Sequence, residues 1–121
     1  MANFTVNGKE YDLKIDYNGV KYLNGLYEGG SYEMIGKAMM GDFDTFPYVV
    51  HAALKHTGEN FSYGDIEQAI AEAIDAERLD LDGVLKVSNE VITQSFFYKA
   101  TIAKLMKDNK DAKKALDTLL K

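Results

Sequence analysis

Two short segments of the chain contain residue types that could bind a phosphate or a metal ion. The first, residues 30–37 (GSYEMIGK), combines two glycines with a lysine, as phosphate-binding loops do. That motif places four residues between its glycines and a Ser or Thr directly after the lysine. Here five residues separate Gly30 from Gly36, and Ala38 follows the lysine. A helix with glycines at its edges explains this segment better than a nucleotide site does.

The second segment, residues 80–83 (DLDG), is similar to part of a calcium-binding loop. Aligning Gly83 with the invariant glycine of that loop puts Arg78 at the first ligand position and Asn89 at the last. A calcium site is excluded, because the first ligand position holds a cation and the last lacks a bidentate Glu. One of the two aspartates is instead predicted to cap a helix.

The two histidines and the nucleophiles are also poorly placed for catalysis. His51 and His56 are five residues apart, which on a helix turns their side chains about 140° from each other. The chain has no cysteine, which excludes a disulfide, a thiolate zinc site and a cysteine nucleophile. No serine stands in a nucleophile-elbow motif. We therefore predict a non-enzymatic protein without a metal or a cofactor.

The composition is that of an ordinary globular domain. The 121 residues are 46% hydrophobic and 27% charged, which is enough for one domain with its own core. The apolar runs are far shorter than the ~18 residues of a membrane span. The N-terminus lacks the basic and apolar parts of a signal peptide. We expect a single domain over residues 1–121, inside the cell and without membrane contact.

The charge of the chain is negative and unevenly distributed. A net charge of −5 argues against nucleic-acid binding, because phosphate contacts need a basic surface. Residues 59–82 contain eight acids and one arginine, whereas residues 104–121 contain six lysines and three aspartates. Two solvated helix faces are the simpler interpretation. Complementary patches that guide self-association or partner docking are the alternative.

The clearest structural signal is a β-hairpin at the N-terminus. Apolar and polar residues alternate on both sides of Asn7-Gly8 in the stretch FTVNGKEYDLKI, and Asn-Gly suits a type I′ turn. An isolated hairpin is marginally stable in water, so this one must lie on helices or pair with another strand. The side chains predicted to share inward faces are Ala2, Phe4, Val6, Tyr11, Leu13 and Ile15.

The remainder of the chain has helical apolar spacing. Short helices are predicted around residues 20–27, ended by the Gly29-Gly30 pair, and around 31–41, with Ser31 as N-cap. A third helix is expected over 46–54, capped by Asp44 or Thr45. The fourth opens at Ser62, with Asp65 three residues later as a form of capping box.

The longest predicted helix runs from about Leu81 to Met106, and a short amphipathic helix follows over 112–120. The apolar face of the long helix is so wide that other helices or a second chain must cover it. The fold class is therefore α+β, mostly α. A hairpin over residues 1–16 is followed by a helical body over 17–121 with about five or six helices.

An aromatic run lies within the long helix. Phe96, Phe97 and Tyr98 cannot all face one way, because consecutive helical side chains are ~100° apart. The simpler expectation is that neighbouring helices bury all three, and the alternative is an exposed apolar spot for a partner. The candidate partner-contact residues are Phe96, Phe97, Tyr98, Ile102, Leu105, Met106, Leu116, Leu119 and Leu120. The methionines expected to fill the core are Met34, Met39, Met40 and Met106.

The order of these elements resembles a known family. The hairpin F-x-V-N-G-K-E-Y-x-L-K is followed by a short helix around 21–24 (KYLN). A Gly-Asp pair at 41–42 then precedes a helix ending in AALK at 52–55, and DIE at 65–67 opens the next helix. Along nearly the whole chain this is similar to the tail assembly chaperones of long-tailed phages and prophages of Gram-positive bacteria.

The resemblance implies a role as a binding protein with no catalytic residues. Such chaperones coat the long, apolar tape-measure protein before the tail tube polymerises around it. In the family, a translational frameshift near the end of the short form appends a domain that recruits tail-tube subunits. This chain, ending at Lys121, is expected to be the short form. It is expected to act in the host bacterial cytoplasm and to be absent from the mature virion.

The partners that follow from the resemblance are the tape-measure protein, the major tail protein through a frameshifted longer form, and further copies of this chain. Neither nucleic acid nor membrane is expected. The alternative is a different non-enzymatic interaction protein of similar build, such as an adaptor, a head–tail completion protein or a small regulator.

Overall fold

The computed structural model describes residues 2–108, with side chains through Lys104. A two-stranded antiparallel hairpin is followed by six α-helices within this span, which confirms the α+β, mostly α class. The elements are β1 (Asn3–Val6), β2 (Lys9–Asp12), α1 (Tyr17–Asn24), α2 (Gly30–Met39), α3 (Phe46–Ala53), a 3₁₀ turn (Lys55–Thr57), α4 (Tyr63–Asp75), α5 (Leu81–Gln94) and α6 (Phe96–Asp108). The helix expected over 112–120 lies outside the described residues, and the single domain over 1–121 stays a prediction.

The hairpin forms as its sequence predicts. Asn7 (φ 53°) and Gly8 (φ 80°) both have left-handed backbones, as a type I′ turn requires. Phe4 is paired with Tyr11, and this register places alternate residues of β1 on the core side. Five of the six predicted inward side chains are buried, and Tyr11 is partly buried.

Helices cover the inner face of the hairpin, so it does not need a further strand. The Phe4 ring meets the Phe46 ring of α3 edge-on, with 6.2 Å between the ring centroids. The Lys14 amide, just after β2, donates to the carbonyl of Ala53 over 3.0 Å. His56 Nε2 donates to the carbonyl of Asp12 over 2.8 Å. Both ends of α3 therefore contact the hairpin region.

Helix α3 is the buried centre of the described structure. It packs against α1, α4 and α5, and its apolar side chains are at most 2% exposed. These side chains are Phe46, Val49, Val50, Ala52, Ala53 and the following Leu54. Small residues permit the close approach of α1, because a Cβ atom added at Gly19 would lie 2.8 Å from the Ala52 carbonyl oxygen.

Buried hydrogen bonds join α3 and α5 to their neighbours. The fully buried Thr45, directly before α3, donates from Oγ1 to Asp42 Oδ2 over 2.6 Å. Tyr27 Oη lies 2.6 Å from the same Thr45 oxygen and donates to it. Thr45 therefore occupies the N-cap position of α3, but its side chain donates to the preceding Asp42 and does not cap the helix. On α5, the buried Asn89 amide donates to the carbonyl of Met39 at the end of α2 over 3.1 Å.

The boundary between α1 and α2 differs from the sequence prediction. Helix α1 ends before Gly25, several residues earlier than the predicted Gly29-Gly30 stop. Ser31 does not cap α2, because its amide and hydroxyl both donate to Asn24 Oδ1 at 3.1 and 3.0 Å. Asn24 satisfies these groups from across the intervening loop, and apolar spacing alone does not reveal such a contact.

The capping predictions for α4 and α5 are confirmed. The Ser62 amide donates to Asp65 Oδ2 over 2.9 Å, and the Asp65 amide donates to Ser62 Oγ over 3.0 Å, which is a complete capping box. Asp80 Oδ1 accepts from the Gly83 amide over 2.8 Å and caps α5. On α4, four members of the predicted apolar stripe are buried, whereas Ile74 is 39% exposed.

An aromatic cluster joins α1 and the start of α4 to α3. His51 Nε2 donates to the carbonyl of Phe61 over 2.7 Å, so in the neutral ring Nδ1 accepts from Tyr22 Oη, which lies 3.0 Å away. Tyr48 of α3 stacks on Tyr63 of α4 with 4.8 Å between the centroids. Burial, together with the neighbouring Tyr48, raises the pKa of Tyr22 to about 12.

The close approach of α1 to α3 predicts opposite effects of the same substitution at two helical glycines. Gly19→Ala should lower the free energy of unfolding by about 1–3 kcal/mol, because the new methyl group meets the backbone of Ala52. Gly36→Ala is the matched control in α2, where nothing lies within 4 Å. It should raise the stability by about 0.5–1 kcal/mol through its helix propensity. Urea unfolding measures both, and equal effects of the two changes would contradict the packing described.

The raised pKa of Tyr22 predicts a loss of stability at alkaline pH. The fold favours the neutral phenol, so its contribution is complete below pH 10 and is lost as the pH rises towards about 12. Tyr22→Phe should therefore reduce the fall in the free energy of unfolding across this window. Chemical unfolding at a series of pH values measures this, with the exposed Tyr17 changed to Phe as the control. An unchanged pH dependence in Tyr22→Phe would refute the assignment.

Candidate functional site

The single long helix predicted from Leu81 to Met106 is wrong, because the structure divides it into α5 and α6 at Ser95. Ser95 has an extended backbone (ψ 121°), and its carbonyl accepts the first bonds of α6 from the amides of Tyr98 and Lys99. Just before the break, Thr93 Oγ1 donates to the carbonyl of Asn89 over 2.7 Å. Side-chain bonds of this kind compete with the helix backbone and bend it. The apolar spacing continues through the break and therefore conceals it.

The break exposes the first two residues of the aromatic run. Phe96 is 94% exposed and Phe97 is 61% exposed, whereas Tyr98 is 1% exposed. The expectation that neighbouring helices bury all three is therefore wrong for the two phenylalanines. Among the described elements α6 packs mainly against α5, so one face of its first turn is buried and the rest is in solvent. We call Phe96 and Phe97 the aromatic pair.

The other predicted contact residues on α6 do not join this surface. Tyr98 and Ile102 face inward and belong to the hydrophobic core. They position α6 on α5 and are not available to a partner in this conformation. The remaining candidates lie outside the described side chains: Leu105, Met106, Leu116, Leu119 and Leu120.

Two hydroxyl groups at the start of α6 are buried. Ser95 Oγ and Tyr98 Oη have no partner within the described part of the chain. An unsatisfied buried group of this kind costs about 1–3 kcal/mol. Burial raises the pKa of Tyr98, and the nearby Ser31 side chain on α2 lowers it by less.

Other apolar side chains are exposed, but they are separated along the chain. Met40 is 83% exposed, so the prediction that it fills the core is wrong. It follows the last residue of α2 and therefore lies beyond the buried face of that helix. Met34 is buried and Met39 is partly buried, as expected. Isolated exposed apolar residues are normal on protein surfaces. Within the described residues, only the aromatic pair places two large exposed apolar side chains next to each other in sequence.

The acidic and histidine side chains of the described residues do not form a metal-binding arrangement. Within residues 2–104, no group of three or more His, Asp or Glu side chains is placed to hold a metal ion. Asp16, Asp65 and Asp80 cap helices. In the same part of the chain, no helix is long and apolar enough to cross a membrane. What the aromatic pair offers is apolar contact.

Comparison with known proteins identifies the family. A family model described as phage tail assembly chaperone protein, TAC, matches residues 3–107, which is most of the chain. No curated protein matches, and no solved structure matches. The matched span contains the hairpin, α1 to α5, the aromatic pair and nearly all of α6. The chain therefore belongs to the phage tail assembly chaperone family.

Proposed function

We propose that this chain binds the tape-measure protein and keeps it soluble during tail assembly, and that the aromatic pair makes the first contact. The observation that carries this proposal is the exposure of Phe96 and Phe97 beside each other at the start of α6. Family membership supports a role in tail assembly. The pair is suited to an apolar client, because both rings are exposed and each can contribute apolar contact area.

The expected affinity of a single contact is low. Burying a Phe side chain contributes about 1.5–3 kcal/mol, and the entropy lost on association offsets much of it. Many copies along one extended client would gain by avidity, since each further contact is made at high effective concentration. Weak contacts that are numerous also allow the coat to be displaced when the tail tube polymerises.

The charge of the chain supports the role of a chaperone that must itself remain in solution. The net charge is −5, and the exposed side of α4 carries Glu67, Glu72 and Asp75. This negative charge limits non-specific aggregation through the exposed aromatic pair. The chain can therefore carry an apolar contact surface and remain in solution, because its net charge is negative.

We propose that this chain acts as the short, non-enzymatic form in the host cytoplasm and is absent from the mature virion. A frameshifted longer form would bring the major tail protein to the coated tape-measure protein. Self-association of this chain along the client is part of the same proposal.

Replacing the aromatic pair should abolish protection of the client. Phe96→Ser with Phe97→Ser, co-expressed with the tape-measure protein of the same genome, should lower the soluble tape-measure protein roughly tenfold, since two apolar contacts are lost per copy. The matched control is Tyr17→Ser with Leu81→Ser, two large exposed residues on other helices, which should behave as wild type. Affinity pull-down and mass measurement give the yield and the number of bound copies.

Two outcomes would contradict the proposal in different ways. If wild type leaves the tape-measure protein insoluble, the client is wrong. If wild type protects the client and the serine variant of the aromatic pair does so equally, the client is right and the contact surface is wrong. Thermal unfolding of each variant alone separates lost binding from lost folding.

A further inference from the structure

A polar cleft lies away from the aromatic pair, on different elements. It is bounded by α1, by the end of α3 with the following 3₁₀ turn, and by Gly58, Asn60 and Phe61, and its volume is about 650 Å³. This volume is within the range of small-ligand sites. No Asp or Glu lines the cleft in the described part of the chain, although the whole chain has 19 acids and 14 bases. Its charged lining residues are Lys21 and Lys55, with His51 beside them.

The position of one cation in the cleft is defined by an aromatic ring. Lys55 Nζ lies 4.6 Å from the centre of the Tyr22 ring, within the range of a cation–π contact. The contact holds the ammonium group at the wall of the cleft. Lys21 is the neighbour of Tyr22 on α1 and brings a second ammonium group to the same space.

The walls of the cleft are fixed by hydrogen bonds that use both nitrogens of one imidazole. His51 contacts Tyr22 Oη on α1 and the carbonyl of Phe61 in the loop before α4. It therefore connects the two sides of the cleft and is already fully used as a hydrogen-bonding group. Asn18 and Asn60 also line the cleft, and their side-chain amides can donate to a ligand.

We propose that this cleft binds the carboxylates of a short acidic peptide segment. Two ammonium groups and two amides are the donors that carboxylates accept from, and Leu54 and Phe61 add apolar residues to the lining. A single inorganic anion would fill only a small part of about 650 Å³. Nucleic acid is disfavoured by the net charge of −5.

The acidic segment comes from a second copy of this chain rather than from another protein. Residues 59–82 carry eight acids, so each copy of the chain offers a suitable donor. Sedimentation of the wild type with and without a hexaglutamate peptide distinguishes the two sources. Dissociation of an oligomer by the peptide indicates a second copy, whereas binding of the peptide to an unchanged monomer indicates another protein.

The test measures the anisotropy of fluorescein-labelled hexaglutamate and hexaglutamine bound to the full chain. Wild type should bind hexaglutamate at least tenfold more tightly than hexaglutamine, and added salt should weaken the binding. Lys21→Gln with Lys55→Gln should raise the Kd for hexaglutamate roughly tenfold, while Lys21→Arg with Lys55→Arg, which keeps both charges, should retain most of the affinity. The matched control, Lys113→Gln with Lys114→Gln, removes two charges from the basic segment 104–121.

The proposal is overturned if wild type binds the two peptides equally or binds neither. It is also overturned if the cleft variant and the control variant lose the same affinity, because the peptide would then respond to net charge alone. A loss confined to the control would place the acidic ligand on the basic segment instead. Circular dichroism of each variant verifies that the helices are intact.

Discussion

The fold depends on one short helix whose apolar side chains are almost completely buried. At eight residues, α3 is too short to be stable alone in water, so its stability comes from tertiary packing. The hairpin, α1, α4 and α5 all bury apolar surface near it, and Gly19 and Ala52 set how closely α1 can approach. An addition as small as one methyl group on this surface must displace a neighbouring helix.

The proposed contact surface lies on α6, at the edge of the core. Helix α6 packs mainly on α5, at the edge of the core, with Tyr98 and Ile102 inward and the aromatic pair outward. Ser95 Oγ and Tyr98 Oη, which are buried at the start of α6, have no hydrogen-bond partner within the described residues. A chaperone can use such an arrangement, because the central helices remain folded while the edge engages an apolar client.

Local sequence signals predicted the hairpin and the caps of α4 and α5, because Asn7-Gly8 and the reciprocal pair Ser62 and Asp65 determine their structure within a few residues. The break at Ser95 was not predicted, since the apolar spacing runs through it without interruption. The aromatic run was recognised, but its exposure depends on which helices surround α6. The polar cleft was missed because His51 meets Tyr22 across 29 residues of sequence.

Hydrogen–deuterium exchange of the chain, alone and bound to the tape-measure protein, tests the account most directly. Amides of α3 should be the slowest to exchange in both states, because they open only with the whole fold. Amides at the start of α6, around the aromatic pair, should exchange faster in the free chain and become protected by the client. Protection that appears only elsewhere, or an α3 that exchanges as fast as α6 in the free chain, would contradict the account.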